Sequence, residues 1–216
     1  MRDGAFADNS RPGAFPMTAW KMPFPAVVKP MNGRLTLAEF EAFCAENRDL
    51  RIEMDKNQTL LIMPPVDIDG GIAEGKVYGY LFAWWLKTDE PGKVFSPTTG
   101  FRLPDGSVRS ADGAWVTDKK FDELSLAERK KFASLVPDFV IELRSSSDRI
   151  SVLKKKMVES WMKNGVRLAW LLDPQSEKSW IYRAGCPVEA LTGFDRLLSG
   201  EAVCIGFELD LRKLRV

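Results

Sequence analysis

The chain of 216 residues contains no histidine at all. That removes imidazole acid–base catalysis, Ser–His and Cys–His nucleophile systems, and histidine zinc sites. Cysteine is nearly as scarce: Cys44, Cys186 and Cys204 are scattered and odd in number. Such usage argues against a disulfide framework and leads to the expectation of a reducing, cytoplasmic setting. No apolar run reaches the roughly 20 residues a bilayer span requires, so no membrane partner is expected. The opening "MRDGAFADNS" carries no apolar segment behind its arginine, and a secretory signal is not expected. Net charge is also small, +1 overall, so the chain as a whole is not a polyanion binder. Any hydrolytic chemistry must therefore rest on carboxylates, lysines and a hard metal ion.

What remains is an ordinary globular composition, 45% hydrophobic and 28% charged, enough for one domain with a sizeable core. Residues 1–30 hold several prolines and glycines without periodicity and are expected to form an irregular arm, leaving 31–216 as the domain. "TLAEFEAFCAEN" (36–47) has a threonine cap and apolar residues at helical spacing. "LRIEMD" and "TLLIM" are short strands around Lys56-Asn57-Gln58. Helices are expected over 71–88, 122–135 and 149–165, the last closed by Asn164-Gly165. Strands are expected at "ADGAWVTD", "DFVIELR", "RLAWLLD", "SWIYRAG" and "GFELDL". Helices alternating with partly all-apolar strands indicate an α/β layer on a mixed sheet in one domain.

The stretch "PDFVIELRSSSDRISVLKKK" (137–156) carries the chemical signal. Glu142 sits between Ile141 and Leu143 in an apolar strand, where an unpaired carboxylate is costly. Asp112 in "RSADGAWV", Glu142, and a lysine among Lys154, Lys155 and Lys156 explain one another if they converge. Two carboxylates from neighbouring strands, with the backbone carbonyl of Leu143, suit a hard divalent cation, and a nearby lysine can orient water or stabilise charge. Taken singly, Asp112 is a turn aspartate, Glu142 pairs with Arg144 on its own strand face, and the lysines are a solvated helix face. Asp138 offers a literal Pro-Asp close to Glu142. Four residues of strand span about 13 Å, too far for one ion, so Asp138 is expected to begin the strand. The tryptophans, Trp161 among them, are expected to pack in the core. "GFRLPDG" is turn chemistry and not a phosphate loop, since no Gly-Lys-Ser/Thr follows.

"FSPTTGFRLPDGSVRSADGAWV", "VPDFVIELRSSSDRISVLKKKM" and "NGVRLAWLLDP", in this order, resemble the restriction endonuclease family often called Uma, from about residue 36 to the C-terminus. The resemblance implies a restriction endonuclease-like, PD-(D/E)XK fold: a mixed sheet flanked by helices. The family's aspartate and glutamate fall on Asp112 and Glu142, and its basic residue tends to come from the following helix. Ala111 stands where the family usually has proline. Arg144 occupies the third position of E-x-K, and an arginine that never loses its charge is a poor proton-transfer group. The helix must then supply the lysine, with Lys156 first and Lys155 second, because neighbours on a helix point about 100° apart. Glu53 or Glu74 is expected to add a further carboxylate. The implied activity is hydrolysis of DNA phosphodiester bonds using Mg2+, with Mn2+ as a substitute, by a homodimer. The competing expectation is a catalytically degenerate nuclease fold that serves as a binding module. A carboxylate-pair glycosidase ranks below both.

Overall fold

The computed structural model describes residues 26–28 and 34–215. In chain order the elements are β1 (Ala26–Val28), α1 (Leu37–Glu46), β2 (Arg51–Met54), β3 (Leu60–Met63), α2 (Ile68–Lys87), β4 (Lys93–Phe95), β5 (Phe101–Arg102), β6 (Val108–Arg109), β7 (Gly113–Val116), α3 (Asp118–Asp122), β8 (Phe139–Leu143), α4 (Ile150–Lys156), β9 (Leu168–Asp173), β10 (Lys178–Arg183), β11 (Glu189–Thr192), β12 (Leu197–Ser199) and β13 (Glu208–Asp210). Of the N-terminal arm expected to be irregular, residues 26–28 are instead a strand, paired antiparallel with β3. The rest of that arm lies outside the described residues.

The central sheet has the order β11-β10-β9-β8-β7-β4. Only β8 and β9 run parallel; the other pairs are antiparallel. The parallel pair requires a crossover, and α4 with the helical turns after it supplies that connection. Alternation along the strands sorts their side chains between two cores. Phe139, Ile141 and Leu143 of β8, with Leu168, Trp170 and Leu172 of β9, face the core covered by α2 and the β12–β13 hairpin. Val140, Ala169 and Leu171 face the other core, covered by α4 and Trp161. Ala114 and Val116 of β7 share this second face. Two-residue periodicity therefore sends Asp112 and Glu142 to the α4 side. Gly113 pairs with Ile141 in the antiparallel register, so Asp112 stands opposite Glu142. A second sheet, β1-β3-β2-β6-β5, packs beside this layer.

Local chemistry explains most boundaries. Thr36 and Glu39 form a reciprocal capping box on α1. Helix α2 starts three residues before the expected position because the Asp67 carboxylate accepts from the Gly70 N–H at 2.7 Å. The 122–135 helix is not formed. A turn capped by Ser125 and Glu128 occupies its middle, and the Arg102 N–H bonds the Ala133 carbonyl, drawing the chain out beside β5. Leu126 is 76% exposed, so the segment has no continuous apolar face to bury. The 149–165 helix is regular only to Lys156. A π-helical turn covers Met157–Trp161 and a 3-10 turn Met162–Asn164, before Gly165 closes it at φ 102°. The last strand, β13, pairs only with β12 and not with the central sheet.

Candidate active site

The stretch before β7, the end of β8, strand β2 and helix α4 converge on a cleft of about 800 Å3 lined by Asp112, Glu142, Glu53, Glu74, Arg51 and Lys156, among others. Glu142 is 3% exposed and Asp112 5%. The burial cost of Glu142 is met from the helix: Lys156 Nζ stands 2.8 Å from its Oε1, and the Trp161 indole N–H donates to the same oxygen at 2.7 Å. Oε2 has no hydrogen-bond donor among the described residues. Asp112 is held differently. Its Oδ2 accepts from the backbone N–H of Leu143 at 2.7 Å and its Oδ1 from Arg51 at 3.2 Å.

Lys156 has three oxygen partners. Besides its ion pair with Glu142 it donates to Glu53 Oε1 at 3.0 Å and to the Ser110 carbonyl at 2.9 Å. Glu53 in turn accepts from the Ser110 N–H and from Arg109. The structure thus brings together Asp112, Glu142, Lys156 and Glu53. Glu74 stands at the edge, half-buried on α2, with its Oε1 3.6 Å from Arg51. The other two lysines point elsewhere, as their spacing on the helix requires. Lys154 lies over the Trp180 ring at 4.2 Å, and Lys155 is exposed on the cleft wall. Arg144 pairs with Asp173 at 2.9 Å and not with Glu142. Asp138 serves the opposite end of β8, where it binds the Thr117 N–H and Lys120.

Electrostatics separate the two glutamates on Lys156. Burial pushes the Glu142 carboxyl up, Lys156 opposes it, and the charges of Asp112 and Glu53 tip the balance to about 7. Burial would raise Glu53 too, but Lys156, Arg109 and the Ser110 N–H hold it down to about 2. Lys156 itself is raised above the ordinary lysine range. Burial works against its charge, and Glu142 and Glu53 overcome it. The two carboxylates thus favour its charged form.

Among the described residues no three histidine, cysteine, aspartate or glutamate side chains form a ready-made metal cage. The donors that are present nevertheless fit a hard divalent ion. All are oxygens, Glu142 Oε2 is free on the cleft side, and Asp112 Oδ1 is held only by a side chain. Two carboxylates, with water and a phosphate completing the sphere, is how Mg2+ is commonly bound.

Residues 37–212 match the family model described as "Uma2: Putative restriction endonuclease". The chain belongs to this family. Its fold is also that of a solved structure described as "a putative nuclease belonging to DUF820 from Anabaena variabilis ATCC 29413", with a TM-score of 0.62 at 16% identity, covering 76% of this chain and 88% of that one. No curated protein matches the chain. No helix among the described residues is long and apolar enough to cross a membrane.

Three participants of this Uma2 site were not picked out from the sequence. Arg51 lies two residues before Glu53, on the same strand face, and period-two spacing pointed to it. Arg109 had no comparable signal. Trp161 lies five residues after Lys156, which on a regular α-helix is about 140° away. The π turn, in which the Met162 N–H reaches the Met157 carbonyl, returns Trp161 to the face of Lys156.

Proposed function

We propose that this chain hydrolyses DNA phosphodiester bonds as a metal-dependent endonuclease, with Mg2+, or Mn2+ in its place, held by Asp112, Glu142 and the Leu143 carbonyl. The observation that carries this reading is the partly buried Lys156 ammonium, shared by Glu142 and Glu53, beside Asp112 in an open cleft. A bound dication would lower the pKa of a coordinated water and offset charge developing on the phosphate. The chain's own groups have distinct tasks. Leu143 N–H fixes the rotamer of Asp112. Trp161 and Lys156 hold Glu142 Oε1 and leave Oε2 toward the cleft. Lys156, kept charged, supplies a fixed positive centre for the anionic transition state and takes no proton. Glu53 anchors Lys156. A homodimer, with one site for each strand of a duplex, completes the proposal.

The test is nicking of supercoiled plasmid DNA by the purified chain. Cleavage should require Mg2+ or Mn2+ and disappear in Asp112→Ala. Metal-independent nicking, or full activity of that variant, contradicts the reading. An inert wild type that still binds DNA would favour the degenerate module.

A further inference from the structure

Asp112 is the carboxylate best placed to receive a cation, yet a cation already holds it. The Leu143 N–H on Oδ2 is part of the backbone and cannot leave. The Arg51 guanidinium on Oδ1 is carried on a flexible side chain and can. Arg51 also has a second seat, since its other terminal nitrogen stands 3.6 Å from Glu74. Its Nε–H is buried without an acceptor among the described residues. An unpaired buried donor is unfavourable, so the seat on Asp112 is an imperfect one. A divalent ion about 2.0–2.6 Å from Oδ1 would stand against a guanidinium bound to the same atom. Both positive charges cannot keep that place.

We propose that Arg51 is a resident counter-ion of Asp112, which holds Oδ1 while no divalent cation is bound, yields to the ion, moves onto Glu74 and there offers its freed N–H groups to a substrate phosphate. This rests on the metal-dependent reading above. Before the ion arrives, the four carboxylates Asp112, Glu142, Glu53 and Glu74 share three cations, Arg51, Arg109 and Lys156, one short of neutrality if all four are ionised. Arg51 thereby keeps a buried carboxylate pair compatible with folding without the metal. The planar fork of arginine suits both jobs, carboxylate first and phosphate afterwards. Arg109 makes an instructive contrast. It belongs to the same cluster and also has a buried Nε with no partner among the described residues, but its partner is Glu53, at 3.0 Å. Glu53 is not a ligand in this scheme, so Arg109 has no reason to move.

The experiment is calorimetric titration of Mn2+ into the full chain, comparing wild type, Arg51→Met and Arg109→Met. Arg51→Met should bind Mn2+ about tenfold more tightly, Arg109→Met should change far less, and Arg51→Met should nonetheless cleave DNA more slowly at saturating metal. Equal tightening in both variants would reduce the effect to general charge and overturn the proposal. So would unchanged or weaker binding in Arg51→Met, or cleavage at the wild-type rate. If Arg51→Met does not fold, a crystal structure of the wild type with Mn2+ decides. Arg51 must have left Asp112 Oδ1 for Glu74; an Arg51 still bonded to Oδ1 beside the ion overturns the proposal. Failure of wild type and Arg51→Met alike to bind Mn2+ would sink the metal-dependent reading itself and this inference with it. Binding that is the same in both sinks only the role of Arg51.

Discussion

Lys156 and Trp161 converge on a single oxygen of Glu142, at 2.8 and 2.7 Å, although five residues separate them on one helical segment. The π turn between them makes this possible, and such turns are frequently found at functional sites. The consequence is an oriented carboxylate with one oxygen bound to the protein and the other turned to the cleft.

Removing the indole donor while keeping an aromatic ring should therefore loosen Glu142 more than it harms the fold. Trp161→Phe is expected to weaken Mn2+ binding several-fold and to cost about 1–3 kcal/mol of stability, from the lost hydrogen bond and a small cavity. Calorimetry and urea denaturation measure the two effects. Unaltered Mn2+ affinity in a folded variant would show that Lys156 alone orients Glu142.

Lys156→Ala should abolish cleavage while Mn2+ still binds, because in the proposed mechanism the carboxylates would hold the ion and the ammonium would act on the anionic transition state. Lys154→Ala should leave cleavage near wild type, since that side chain lies over Trp180, at a cost of about 0.5–1 kcal/mol for the exposed cation–π contact. Plasmid nicking by the two variants in parallel tests the assignment. Activity lost in Lys154→Ala and kept in Lys156→Ala would reverse it.

Glu53 and Glu142 should give opposite stability profiles with pH when metal is absent. The folded-state pKa of Glu142 is raised from 4.5 to about 7, so its contribution to stability is lost as pH rises from 4.5 through 7. Glu142→Gln, whose amide oxygen can still accept from Lys156 and Trp161, should be more stable than wild type at pH 8, with the gain shrinking toward pH 5. Glu53 is lowered from 4.5 to about 2, so its contribution is present above 4.5 and lost as pH falls through 2. Glu53→Gln should be destabilised throughout the range above pH 5. Urea denaturation at pH 5 and pH 8 distinguishes the two. Like-signed changes in both variants at pH 8 would contradict the site's electrostatics.

Arg144→Ala should lower stability, by about 1–3 kcal/mol, because it strips the buried Asp173 of its ion pair. Mn2+ affinity should remain near wild type. A large loss of metal binding in the folded variant would return Arg144 to the site.

The sequence disclosed the site better than its supports. Glu142 stood out because a carboxylate in an apolar strand needs a partner, and the spacing of one helix allowed only one of three adjacent lysines to reach it. Asp112 was legible only through the resemblance of its "RSADGAWV" context to the family's Ser-Pro-Asp, since taken alone it read equally well as a turn aspartate beside Gly113. The 122–135 segment misled because helix-forming residues such as Ala127, Glu128 and Lys130 outweigh, in any local reading, a pairing with Arg102 that arises only in the folded sheet. Trp161 was read as core, and it is fully buried. Its second role depends on a π turn that no periodicity announces. Arg51 was open to discovery from its alternation with Glu53, but its partners Asp112 and Glu74 come from distant parts of the chain.

Asp112 and Glu142 are proposed to share one divalent cation. Calorimetric titration of Mn2+ into wild type, Asp112→Asn and Glu142→Gln tests it most directly. A single Mn2+ site is expected in the wild type, and it should be lost, or weakened by about a hundredfold or more, roughly 2.8 kcal/mol, in each variant while both remain folded. A variant of either residue that binds Mn2+ as the wild type does would contradict it.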